Sequence, residues 1–231
     1  MVLNHLGAGV KRMYGGMSFF GTVNMPVSAH IRFLNVIRGL QEVSLYIDGQ
    51  QYFSDVPFGL FTDYVCSPPG IYNLALNRAG DYGSPVLQST ETFSVGSSIT
   101  LAATGERSNI KIYQIPEPYS ARETGLRTAL RLVNLSTEEK VLDGWLHTGA
   151  KIFSGVRYTE LSPYVRLQPN FYTLTITDAD TGETIAVAEN LNLQLGKIHS
   201  VYVVMANTEN NTFITLFTTD SEISDITAPG T

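Results

Sequence analysis

Apolar and polar residues alternate with a period of two through most of the chain, the signature of strands that turn one face inward. Ile31, Phe33 and Asn35 alternate with Arg32 and Leu34, and Val43, Leu45 and Ile47 with Ser44 and Tyr46. Asp48-Gly49 then separates two such runs, and this pair predicts a hairpin because both central residues of its tight turn need φ > 0. Further strands are predicted over 60–67, 71–78, 86–94, 99–104 and 110–115. A second series follows over 161–167, 171–177, 184–193, 198–206 and 213–218. Short strands broken by Gly and Pro about every ten residues, with no helix-length apolar pattern between them, predict an antiparallel sandwich.

The two series are copies. Phe53-Ser54-Asp55-Val56, Tyr64-Val65, Pro69, Tyr72 and Leu74 reappear 100 residues later as Phe153-Ser154-Gly155-Val156, Tyr164-Val165, Pro169, Tyr172 and Leu174. A tandem duplication fixes the architecture before anything else, and Thr148-Gly149 takes the place of Asp48-Gly49 in the second copy. The repeated residues are scaffold types, with Tyr64, Tyr72, Tyr164 and Tyr172 as anchors. Pro68-Pro69-Gly70-Ile71-Tyr72 also looks like the tyrosine corner of immunoglobulin-like domains, where a Tyr hydroxyl ties back to the turn backbone. The expected fold is therefore all-β, two tandem immunoglobulin-like antiparallel β-sandwiches with an extended N-terminal arm. The expected boundaries are an arm over 1–28, a first sandwich over 29–116, a linker over 117–127, a second sandwich over 128–219 and a tail over 220–231.

Charge narrows the partners. Only 16% of the 231 residues are charged and the net charge is −6, with no basic cluster longer than Lys11-Arg12, so the positive field that dominates nucleic-acid affinity is missing. A surface so poor in charge is weakly self-repelling and favours a homo-oligomer or polymer. Cys66 is the sole cysteine, which excludes an intrachain disulfide and a thiolate metal site. Its counterpart is Arg166, so the position is expected to face solvent in part, leaving an intermolecular disulfide open. No signal peptide or membrane-length apolar segment is recognisable, so the chain is expected to be made as a soluble cytosolic protein.

The runs IRFLNVIRGLQEVSLYIDGQQYFSDVPFGLFTDYVCSPPGIYNLAL and LRLVNLSTEEKVLDGWLHTGAKIFSGVRYTELSPYVRLQPNFYTLTI carry a resemblance. They resemble the bacterial domain-of-unknown-function family four-three-nine-seven, which reads roughly V-R-x-V-H-A-S-P-x-A-P-x-V-D-V-Y-x-D-G, then F-x-x-V-x-F-G-x-x-S-x-Y, then P-A-G-x-Y. Residues 30–219 are covered. The chain departs from the pattern at His-Ala-Ser-Pro, where it has Asn35-Val36-Ile37-Arg38 and Asn134-Leu135-Ser136-Thr137, and Ser44 and Asp143 stand near the family's acidic position. The resemblance implies immunoglobulin-like modules of secreted and cell-surface bacterial proteins, or of signal-less two-copy proteins of spore formers. It brings no catalytic residue with it.

The residues themselves point the same way. His5, His30, His147 and His199 lie in separate segments without metal-ligand spacing. Asp178-Ala179-Asp180-Thr181-Gly182-Glu183 reads as a hairpin loop, because it lacks the further ligands of a calcium loop. Tyr46, Trp145, Phe58 and Tyr158 are candidates for a sugar-stacking platform, with packing as the competing reading. No nucleophile, acid–base pair, cofactor motif or metal set is found, so no enzyme, cofactor or metal is expected. The arm bears Val2, Leu3, Met13, Met17, Phe19, Phe20, Val23 and Met25 and is too short and Gly-broken to fold alone. It is expected either to add a strand along a neighbour's sheet edge or to fold over its own first sandwich. The resulting expectation is a non-catalytic structural protein that self-associates at a cell or spore surface as a filament, appendage or layer. The alternative is a cell-envelope binding module that recognises glycan or protein through its loops.

Overall fold

The computed structural model describes residues 28–81, 83–117, 126–136, 140–207 and 212–220. The arm residues Val2, Leu3, Met13, Met17, Phe19, Phe20 and Val23, most of the linker and the tail from 221 lie outside them. The first repeat contains β1 Ala29–Arg38, β2 Glu42–Ile47, β3 Gln50–Pro57, β4 Val65–Ser67, β5 Gly70–Arg78, β6 Leu87–Phe93, β7 Ser98–Glu106 and β8 Asn109–Glu117. The second contains β9 Thr128–Leu135, β10 Leu142–Leu146, β11 Lys151–Val156, β12 Val165–Leu167, β13 Asn170–Asp178, β14 Thr184–Leu193, β15 Ile198–Asn207 and β16 Thr212–Asp220.

Each repeat is an immunoglobulin-like sandwich of two four-stranded sheets. The orders are β3-β2-β5-β6 and β4-β1-β7-β8 in the first, β11-β10-β13-β14 and β12-β9-β15-β16 in the second. Pairing is antiparallel apart from one parallel pair in each copy, β1 with β7 and β9 with β15. In both pairs the two strands start from the same end of the sandwich, so they run the same way. A 60–67 strand is predicted, but β4 keeps only its last three residues. Before it, the chain crosses over the sheet on backbone bonds from Gly59 to Asn35 (2.7 Å) and Thr62 to Phe33 (2.9 Å).

Inside each sandwich the period-two pattern builds the core. Ile31, Phe33, Leu45, Phe53, Leu74, Leu76 and Leu101 meet in the first, and Leu130, Leu132, Phe153, Leu174, Ile176 and Val201 in the second. A buried Asn in each β1-type strand bridges the two sheets, the Asn35 amide donating to the Val56 carbonyl at 3.0 Å and that of Asn134 to Val156 at 3.1 Å. The corner tyrosines close the turn before β5 and β13. Tyr72 donates its hydroxyl proton to the Pro68 carbonyl at 2.8 Å, and Tyr172 to the Gln168 carbonyl at 3.0 Å.

The copies are out of step by one residue before their hairpins. Ile47 pairs with Leu74 and Leu146 with Leu174, so these partners lie 99 apart, whereas Phe53 and Phe153 lie 100 apart. The extra residue sits in the turn. Asp48 and Gly49, with φ of 47° and 81°, close a two-residue hairpin in the first copy. In the second copy Gly149 donates back to Leu146 and carries φ of 85°, while Leu146 donates to Ala150. That is a longer turn ending in a left-handed glycine, so Thr148-Gly149 matches Asp48-Gly49 in place but not in conformation.

A third apolar cluster joins the repeats. Leu34, Val36, Ala102 and Ile115 from the first sandwich pack against Val133, Leu135, Tyr202 and Val204 from the second, with Phe58 and Phe61 at their margin. The sheets carrying β1 and β9 are therefore covered on both faces, and every residue of β1 and β9 is buried. The molecule is a four-layer stack, with these two sheets inside and those carrying β2 and β10 outside. Arg32 near the start of β1 reaches Thr218 and Asp220, while Arg38 at its end reaches Met205 Sδ at 3.0 Å. The sandwiches thus stand side by side and the same way up.

Candidate functional site

The most chemically loaded place among the described residues is the seam between the inner sheets, built twice over from equivalent residues. Arg32 of β1 donates from Nε to Thr100 Oγ1 (2.7 Å), from Nη1 to Thr218 Oγ1 (2.8 Å), and from Nη2 to Glu117 Oε1 (2.9 Å) and Asp220 Oδ1 (3.2 Å). Arg131 of β9 donates from Nε to Ser200 Oγ (2.7 Å) and from Nη1 to the Pro116 carbonyl (2.7 Å). Its Nη2 lies 3.4 Å from Asp220 Oδ2, an ion pair without hydrogen-bond geometry. Tyr164 donates to Asp220 Oδ2 at 2.7 Å, and Tyr64 makes the matching short contact to Glu117 Oε2. The Arg32 guanidinium also lies 4.7 Å from the Phe61 ring centroid and 4.8 Å from that of Tyr64, and Arg131 lies 4.8 Å over Tyr164.

Two cations and two carboxylates make the seam neutral, and burying charge is tolerable only when it is paired in this way. Burial opposes the charge on Arg32, yet Glu117, first among its neighbours, holds the guanidinium more firmly protonated than usual. Burial raises the Glu117 carboxyl and Asp220 adds to this, against the pull of Arg32. The Tyr164 phenol is pushed up by burial and by Asp220. Both carboxylate side chains are fully shielded from solvent. The arrangement locks the two sheets together through their first and last strands.

The anchors Tyr64 and Tyr164 fall in this seam, and Tyr72 and Tyr172 fall at the corners. The aromatic platform does not form. Phe58 lies at the seam's apolar margin and Tyr158 packs edge-on against Tyr113 at 6.5 Å. Trp145 stands on the outer sheet of the second repeat, bonded to Thr177 and with the Lys151 ammonium 4.8 Å over its ring.

The Asp178 carboxylate caps its turn, accepting from the backbone of Asp180 (2.9 Å) and Thr181 (3.3 Å) and pairing with Lys140 at 2.9 Å. The Lys140 ammonium, with these backbone groups, holds that carboxyl below its ordinary range. His199 is buried, its Nε2 accepting from Gln194 N–H at 3.1 Å and its ring stacked on Phe217 at 5.2 Å. Cys66 is exposed. Among the described residues no three His, Cys, Asp or Glu side chains converge as a metal-ligand set, and no helix is long and apolar enough to cross a membrane.

Sequence reasoning missed Arg32, Arg131, Glu117 and Asp220. One signal was available: an Arg at the same place in two otherwise apolar runs, Ile31-Arg32-Phe33-Leu34 and Leu130-Arg131-Leu132-Val133.

A family model described as Domain of unknown function (DUF4397) matches residues 29–145 and again 128–228. The chain belongs to this family. No curated protein matches it. Among solved structures, the DUF4397 pair is similar to the Bacillus anthracis TIE protein at 12% identity and a TM-score of 0.27, over 81% of this chain. The chain spans only 34% of that protein's length. It is similar to the fimbrial anchor protein Mfa2 from Porphyromonas gingivalis at 10% identity and a TM-score of 0.26, over 83% of this chain and 97% of that one. It is also similar to a putative cell adhesion protein from Bacteroides ovatus at 11% identity and a TM-score of 0.28, over 86% and 98%.

Proposed function

We propose that this protein is a non-catalytic structural unit that self-associates into a surface assembly, a filament, appendage or spore-surface layer, through its N-terminal arm and sandwich edges. The observation that carries this reading is the neutral, buried seam. The two arginines and two carboxylates of the seam, all with buried side chains, are spent on holding two sandwiches in one fixed relation, which is what a building block requires. Each of the four open sheets ends in edge strands, such as β6 and β14, whose outer backbone groups can pair with another chain. The sparse charge of the chain offers little repulsion to such pairing. The surface location belongs to the same proposal and rests on the family resemblance.

Light scattering and electron microscopy of the full chain, beside a chain lacking residues 1–24, test the reading. Regular polymers that shorten or vanish on deletion, with the unfolding transition unchanged, are the expected result. A monomer before and after deletion overturns it. If that monomer binds glycans on an array, the second reading takes its place, a cell-envelope module that recognises glycan or protein through sandwich loops.

A further inference from the structure

Each of the four sheets ends in two edge strands, and every edge but one carries a device that discourages pairing with another chain. β4 and β12 are three residues long. β3, β11 and β14 each break register with their neighbour and hold a residue at positive φ, Asp55 at 46°, Gly155 at 68° and Asn190 at 55°. β8 contains Lys111 and Pro116, and β6 carries Glu91, tied to Gln114 of β8 at 2.7 Å. Short length, bulges, charge and proline are the means by which sheet edges avoid one another. β16 uses none of them. It runs for nine residues, in unbroken register with β15 from Phe213 to Asp220, and its one charge, Asp220, is committed to the seam. Both faces of the strand are occupied: Phe213 packs into the second core, Ile214 and Leu216 at the seam, and Phe217 stacks on His199. What β16 lacks is a backbone partner on its outer side. Among the described residues only its Thr219 carbonyl is reached from beyond β15, by the Thr218 hydroxyl at 3.3 Å and by Arg32 at 3.5 Å.

We propose that β16 pairs antiparallel with β16 of a second copy, an inference that rests on the assembly reading above and gives it one definite contact. The strand is its own mate. Thr212-Phe213-Ile214-Thr215-Leu216-Phe217-Thr218 reads alike in both directions, with Ile and Leu as counterparts. A two-fold axis at Thr215 therefore sets Phe213 opposite Phe217, Ile214 opposite Leu216, Thr212 opposite Thr218 and Thr215 opposite itself. Aromatic pairs and Thr–Thr pairs of this kind stabilise antiparallel neighbours. No charge enters the overlap, and Thr219 and Asp220 stay outside it with Arg32. Any other edge of the chain would bring a bulge, a charge, a proline without an N–H, or too few residues. The arm offers no run free of Gly and Pro longer than six residues, and the tail carries Glu222 and Asp225. Two four-stranded sheets of order β12-β9-β15-β16 then join through β16 as one continuous sheet. Such a contact is isologous and closes at two chains, so growth beyond the pair falls to the arm.

Light scattering of the full chain tests the edge. Phe217→Lys, which puts a charge on an exposed site of β16, is expected to lower the mass at least twofold, while Val187→Lys on the already bulged β14 leaves it unchanged. Cysteine linkage tests the register without adding charge. With Cys66→Ser removing the native thiol, full chains carrying Thr215→Cys at the axis are expected to form disulfide dimers on oxidation, at least tenfold more than chains carrying Thr219→Cys outside the overlap. If Phe217→Lys also lowers the urea midpoint, the Thr215→Cys link decides alone. Equal linkage at both positions, or none, overturns the two-fold pair. Loss of mass on deletion of residues 1–24 but not with Phe217→Lys overturns this edge and leaves the assembly reading standing. A protomer mass for the native chain overturns the assembly reading itself.

Discussion

Replacing Arg32 with Ala removes at one stroke the partner of Thr100, Thr218, Glu117 and Asp220. Asp220 keeps Arg131 at 3.4 Å, but Glu117 is left fully buried without an ion-pair partner. Breaking a buried pair from one side costs about 3–5 kcal/mol, and for a chain of this length that corresponds to a fall of roughly 6–20 °C in Tm. The loss depends on pH in a definite direction. The Glu117 carboxyl is already raised by burial, and without Arg32 it rises further above its unfolded value. A carboxyl of that kind binds a proton more tightly folded than unfolded, so the variant's deficit is smallest below the unfolded pKa, about 4.3. It grows as pH rises through the folded pKa. Calorimetry and urea unfolding of Arg32→Ala between pH 4.5 and 8, expressed as roughly 2–4 °C per kcal/mol, measure both effects. Arg32→Lys should restore little, because one ammonium cannot reach the four acceptors that a planar fork reaches. A cost below about 1 kcal/mol at neutral pH, the range of an exposed pair, would refute the account of the seam as a buried lock.

Tyr72→Phe and Tyr172→Phe each remove one hydroxyl bond to a turn carbonyl and should each cost about 0.5–1.5 kcal/mol in urea unfolding. At Gly144 an added Cβ would lie 2.7 Å from Phe153 Cδ2, so Gly144→Ala should cost roughly 1–3 kcal/mol as overpacking, even though the equivalent residue of the first repeat is Leu45. Burial lowers the His199 pKa, and its Nε2 accepts a backbone proton. Its stabilising contribution is therefore present above the unfolded value of about 6.5 and is lost as pH falls from there toward the folded pKa. The slope of the urea midpoint between pH 7 and 5 should flatten in His199→Gln.

The sandwiches were legible because strand periodicity and the repeat of Phe53 and Tyr72 as Phe153 and Tyr172 depend on local spacing. The face that joins them was not. Period two states that Arg32, Leu34 and Val36 share a side of β1, but not that another sheet covers that side, because apolar residues on both faces read alike whether the cover is solvent-side packing or a second domain. The acids escaped for a related reason. Glu117 and Asp220 differ in type and lie 103 apart instead of 100, the difference falling in the β15–β16 turn, so comparing the copies at a fixed offset never aligned them. Tyr64 and Tyr164 were found as repeated residues, yet only the fold shows that each serves a carboxylate from the last strand of its own repeat.

The strand order also sets a timetable for synthesis. In each repeat the first strand among the described residues, β1 or β9, lies in the middle of its sheet, paired in parallel with a strand some 70 residues further along. Until that later strand leaves the ribosome its only strand partner is the three-residue β4 or β12, and pairings so distant in sequence are slow to form. A nascent first repeat therefore holds Ile31, Phe33 and Ile37 without their final cover until β7 is made. The outward side of β1 waits longer still, for β15 and β16, and Arg32 meets Asp220 only after nearly the whole described chain has been translated. Chaperone dependence during translation should accordingly fall on β1 more than on the hairpin β2–β3, whose partners are adjacent in sequence.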